Sequence, residues 1–105
     1  MSQYVLSPSA RADLAAIRSY LSPAPVRSQE RVIAGLNEAF LCALRFPYMG
    51  MHEPKLSSRY EEQVRSFVVR PYRCFYLPER APLEIFAILH GAQDIESVLL
   101  ARPLP

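Results

Sequence analysis

The chain has only three glycines and two cysteines in its 105 residues, and no stretch strings the glycines together. Without a Gly-rich loop it has no backbone cradle for phosphates of the mononucleotide or dinucleotide kind. Cys42 and Cys74 sit in no CxxC pair and no Cys/His cluster. His52 and His90 are the only histidines, and no set of His, Cys and carboxylate has ligand spacing, so neither a metal nor any other cofactor is expected. No apolar run approaches the ~18 residues that span a bilayer. The opening MSQYVLSPSARADL carries charge and polarity where a secretory leader would be apolar, which predicts a cytoplasmic protein with reduced thiols.

Excess charge of one sign is equally scarce. Twelve Lys and Arg stand against ten Asp and Glu, a net +2, too little to announce nucleic-acid binding by itself. The distribution says more than the total. Residues 1–54 hold five Arg against four acids (+1), residues 55–80 six Lys/Arg against three Glu (+3), and residues 81–105 one Arg against three acids (−2). Positive charge therefore gathers around RSFVVRPYRCFYLPE, residues 65–79.

What is present is apolar and periodic. Half the residues are hydrophobic and 21% are charged, the composition of a single globular domain over residues 1–105. QYVLS, residues 3–7, reads as a short strand, after which Ser7-Pro8 supplies a cap and a first helical residue. Ala10, Leu14, Ile17 and Leu21 then repeat at helical spacing with Arg11, Asp13 and Arg18 turned outward, until Pro23 and Pro25 stop the pattern. A second helix is predicted from about Val26 to Phe46, on a stripe through Val32, Leu36, Ala39, Phe40, Ala43 and Phe46, and Pro47 ends it. Residues 48–62 have no periodicity and read as a loop. Strand-like runs follow at 63–69, 72–77 and 83–89, and IESVLLA makes a closing helix capped by Asp94. The predicted order is β-α-α-β-β-β-α: an α+β domain with a helical hairpin packed on one face of a twisted antiparallel sheet.

Alternation divides the arginines of the central strands. Arg65 shares a face with Phe67 and Val69, and Arg73 shares one with Phe75 and Leu77, while Arg70-Pro71 forms the turn between them. A buried unpaired charge is too costly, so Arg65 and Arg73 are expected as cross-strand neighbours at the rim of an open surface. Two readings fit them. In one they pair with Glu62, Glu84 or water, their stems lying on apolar surface. In the other they form an anion-binding surface, with bidentate guanidinium groups and with Tyr72 or Tyr76 adding a ring or a hydroxyl. His90, at the end of the last strand, is either a structural hydrogen-bonder or a general acid or base. His52 and Ser57-Ser58 belong to the predicted loop and have weaker claims.

The pieces YVLSPSARADLAAIRSYL, VRSFVVRPYRCFY and LEIFAILHGAQD, in that order and spacing, make the chain resemble the RelE/ParE superfamily of type II toxins. The PYRCFY and ILHGAQD segments are more similar to its ParE branch. The resemblance implies a growth-inhibiting, plasmid-stabilising toxin neutralised by a cognate antitoxin, which alone brings the pair to operator DNA. In the ParE branch the implied target is DNA gyrase, bound without catalysis. The ribonuclease branch implies instead cleavage of mRNA in the ribosome, with Arg65 and Arg73 on the scissile phosphate and Tyr76 or His90 moving protons. Gly91, Ala92 and Gln93 depart from both branches: they lack the proton-transfer pair of one and the basic residues of the other. A third alternative is an attenuated toxin that serves chiefly as an antitoxin partner. Target contact is thus expected at Arg65, Arg73 and His90. Antitoxin contact is expected at Tyr4, Tyr20 and Ile33, which lie off or at the margin of the core stripes.

Overall fold

The computed structural model describes residues 3–105. Its elements are β1 (Tyr4–Leu6), α1 (Pro8–Leu21), α2 (Val26–Arg45), β2 (Met51–His52), α3 (Pro54–Tyr60), β3 (Arg65–Val69), β4 (Tyr72–Leu77), β5 (Leu83–His90) and α4 (Ile95–Ala101). The α+β class and the order of the predicted elements hold. Two additions fall in the segment expected to be a loop: residues 48–62 contain β2 and α3. Both are too short for periodicity to reveal, yet Pro54 stands at the start of α3, where its fixed φ and missing N–H fit.

The five strands form one sheet in the order β1-β5-β4-β3-β2. The sheet is mixed rather than wholly antiparallel. β1 runs parallel to β5, because the chain reaches β5 from β1 only after crossing both helices of the hairpin. The remaining pairs are antiparallel, and β3 and β4 are joined by the two-residue turn Arg70-Pro71 that the sequence predicts.

Both faces of the sheet are buried. Tyr72, Cys74, Tyr76, Ile85 and Ile88 pack with Ile17, Leu36 and Phe40 of the hairpin. On the far side Phe75, Leu77, Phe86, Ala87 and Leu89 pack with Leu99 of α4, and Leu56 and Tyr60 of α3 flank them. The expectation of an open second face is therefore corrected. A bulge in β5 makes the two faces compatible: Phe75 opposes Ala87 while Tyr76 opposes Ile85, leaving Phe86 extra. Ile85 and Ile88 can then both face the hairpin, and Phe86 and Ala87 both face α4.

Asp13, expected to point outward, is instead the tie between layers. Its Oδ2 accepts the Ile88 N–H at 3.0 Å, and the carboxylate takes a two-pronged ion pair from Arg102 at 2.9 and 2.5 Å. The side chain is only 11% exposed, so its charge depends on those partners. Sequence periodicity placed Asp13 off the apolar stripe, and it could not show that β5 lacks a neighbouring strand there.

Asp13→Ala strands a buried guanidinium and an unpaired strand N–H, and is expected to cost about 3 kcal/mol in urea unfolding, with Asp13→Asn losing less. A second expectation concerns alkaline pH. Burial, with the nearby Asp13 charge adding to it, pushes the Cys74 thiol from 9.0 up to about 12. Because the unfolded thiol ionises first, the unfolded chain binds fewer protons above pH 9. Stability is thus fully present below pH 9 and falls by up to ~4 kcal/mol as pH rises toward 12. Denaturation measured across that window should show the decline, and in Cys74→Ala it should be shallower.

Candidate functional site

The hairpin carries a concavity of its own. An open groove of about 680 Å³ runs between α1 and α2, with β1 at its base, and is walled by Leu14, Leu21, Val26, Ile33 and Phe40. Tyr4 is held in it by a 2.5 Å hydrogen bond from its hydroxyl to Asn37 Oδ1 and by an edge-on contact with Phe40, ring centroids 5.4 Å apart. Tyr4 and Ile33 therefore share one groove. Tyr20, 76% exposed, lies outside it, bordering a hollow of about 270 Å³ with Tyr72 and His90. Around the groove the hairpin is basic: Arg11, Arg18, Arg27 and Arg31 are exposed, against the exposed carboxylates Glu30 and Glu38, a balance of +2.

The basic residues singled out in the sequence do not converge. Arg65 faces Tyr76 in the β3–β4 register, whereas Arg73 faces Val68, so the two arginines are not cross-strand neighbours. They lie on opposite faces of the sheet. His90 pairs with Tyr72, four residues along β4 from Tyr76, which is roughly 13 Å at the rise of a strand.

Each of these residues has its own surroundings. Arg73, on the α4 side, pairs through Nη2 with Glu53 Oε2 at 2.7 Å and lies 5.2 Å over the Phe75 ring. The same Glu53 oxygen accepts the buried Ser66 hydroxyl at 2.6 Å. Arg73, Phe75 and Glu53 line a cleft of about 430 Å³ between α3 and α4. Glu53 was not legible as a partner, since it precedes α3 in the stretch without periodicity. His90 is exposed at the end of β5. Its Nδ1 accepts the Ala92 N–H at 3.0 Å, leaving the proton of the neutral ring on Nε2, and its ring stands edge-on to Tyr72.

Arg65 and Tyr76 work together on a loop. The Arg65 guanidinium donates to the Tyr48 and Gly50 carbonyls at 3.1 and 2.7 Å and to Gln63 Oε1 at 2.6 Å, and it lies 5.3 Å over the Tyr48 ring. Tyr76 is fully buried. Its hydroxyl donates to the Pro47 carbonyl at 2.7 Å and accepts the Gly50 N–H at 3.1 Å. Burial raises its pKa, with the Gly50 N–H and Arg65 opposing the shift. Both hydroxyl bonds are committed to the 47–50 backbone.

A five-stranded mixed sheet covered on both faces, with a strand and helical hairpin at its start, is compatible with the RelE/ParE-like α+β fold. The chain belongs to the family described as ParE toxin of type II toxin–antitoxin system, parDE, whose model matches residues 4–95. A search of curated proteins finds no match. A type II module supplies an antitoxin partner for its toxin. Among the described residues no helix is long and apolar enough to cross a membrane.

Gly50 tests the loop network directly. A Cβ there would lie 2.6 Å from the Tyr76 hydroxyl oxygen and 2.7 Å from the Ser66 carbonyl oxygen. Gly50→Ala should therefore force the loop off Tyr76 and cost about 2–3 kcal/mol in thermal or urea unfolding. An unchanged midpoint would show that the loop is not held this way.

Proposed function

We propose that the chain is a non-enzymatic, ParE-like toxin that arrests growth by binding DNA gyrase. The family assignment supplies the toxin class. The observation that carries the choice of a binder over a nuclease is the dispersal of Arg65, Arg73, Tyr76 and His90 over two faces and two ends of the sheet. Cleavage of a phosphodiester needs cations and proton-transfer groups within hydrogen-bond reach of one phosphate. Here Tyr76 and Arg65 are occupied with the 47–50 backbone, and His90 stands alone at the far end of β5. Of the basic residues assigned to target contact, Arg65 would act by positioning the loop it holds, while Arg73, paired with Glu53, and His90, at the far end of β5, would add only peripheral contacts.

The cognate antitoxin is assigned to the hairpin groove. Its open shape, apolar walls and basic surroundings suit an amphipathic helix with an acidic outer face. Tyr4 and Ile33 would meet the apolar side of that helix, and Tyr20 would border it. Operator DNA would be reached only through the antitoxin.

Purified toxin added to gyrase, ATP and relaxed plasmid should block supercoiling and raise the yield of cleaved complex. Full supercoiling at saturating toxin would overturn the gyrase assignment, and message cut at codon positions during arrest would favour the nuclease reading.

A further inference from the structure

Five large apolar side chains between Leu41 and Met51 stand in water. Leu41, Phe46, Tyr48, Met49 and Met51 are 49 to 66% exposed. Single exposed apolar residues need no explanation, but five within eleven positions form a patch. The loop beneath them is fixed by Arg65 on two of its carbonyls, by the buried Tyr76 on Pro47 and Gly50, and by Cys42 Sγ 3.5 Å from Met49 Sδ. Those bonds hold outward side chains that contribute little to the core. Phe, Tyr, Met and Arg are the residue types enriched at the centres of protein interfaces, and a surface ordered in advance loses less entropy on binding. Beside this knob lies a hollow of about 480 Å³ walled by Val5, Leu44, Pro47, Pro78, Pro82 and Leu83. At the margin, the Arg45 guanidinium lies 5.6 Å over the Phe46 ring and has no carboxylate partner among the described residues.

We infer that the Phe46–Met51 knob, with its hollow and Arg45, is the surface by which this toxin grips its growth-arrest target. The partner is a folded protein presenting an apolar pocket rimmed by carboxylate. The inference rests on the toxin reading, and its identification with gyrase on the gyrase reading. Charge complementarity fixes the acidic rim, since Arg45 lacks an internal counter-ion. A second copy fits poorly. A two-fold axis through the patch would set Arg45 against its own twin. The antitoxin groove is centred toward the other end of α2: Ile33 is thirteen residues from Phe46, about 20 Å along the helix, while its near wall at Phe40 is about 9 Å from Phe46.

The test uses the full chain, induced in cells without antitoxin and purified for binding. Phe46→Ser/Met51→Gln and, separately, Arg45→Glu should abolish growth arrest and raise the toxin concentration for half-inhibition of supercoiling by roughly tenfold or more. Both should keep the wild-type melting temperature and monomer mass, and antitoxin affinity within about twofold, a margin below the ~1.4 kcal/mol of a tenfold change. Leu104→Ser, a comparably exposed apolar site on the C-terminal segment, should arrest growth as wild type does. Arrest by the patch variants would overturn the inference. So would a wild-type chain that leaves growth unaffected, a patch variant that loses antitoxin in parallel, or a wild-type dimer that the variants split. Arrest lost in the variants while wild type leaves gyrase untouched would keep the surface and remove gyrase as the partner.

Discussion

β5 is buried on both faces and must also have both edges hydrogen-bonded, and the rest of the architecture follows from how that is met. One edge is taken by β4 along its length. The other has only three residues of β1, ending at Leu6 opposite Ile85. Beyond that point the hairpin replaces a strand: the Ser7 N–H donates to the Ile85 carbonyl and Asp13 receives the Ile88 N–H. Each unmet group in so dry a place would cost about 1–3 kcal/mol. α1 is thereby fixed against the sheet by polar as well as apolar contacts. Because Asp13 also pairs with Arg102, the segment after α4 is tied to the same point.

This arrangement gives the two sides of the molecule different work. α1 lies against β5, and α2 is left separated from it by the groove that holds Tyr4 and Ile33. At the other end of α2 the half-buried Arg65 and the buried Tyr76 bond the 47–50 backbone and set the exposed 46–51 loop. Two separate surfaces on one small domain suit a toxin that must be held by an antitoxin and must also reach a target.

Periodicity revealed the long elements because their apolar stripes are long enough to count: α1, α2, β4 and β5 lie where the pattern places them. β2 and α3 escaped it, being two and seven residues long. The family was legible from ordered motifs, but the roles of Arg65, Arg73 and Asp13 were not. Strand alternation puts Arg65 on one face and Arg73 on the other only once the register is known, and a two-residue turn between strands of uncertain ends leaves that register open. Asp13 was hidden for a different reason. A carboxylate off the apolar stripe normally faces water, and only the short β1 creates the vacant N–H that draws it inward. The exposed loop at 46–51 left no signal, since apolar residues near a helix end read as core.

Hydroxyl-radical footprinting tests the division of the two surfaces most directly, because Phe46, Tyr48, Met49 and Met51 are all oxidisable and exposed. Saturating gyrase should protect these four side chains and leave Tyr4 in the hairpin groove unchanged, and saturating antitoxin should do the reverse. Oxidation of the 46–51 side chains that is unaffected by the target, or protection of the same residues by both partners, would contradict the account.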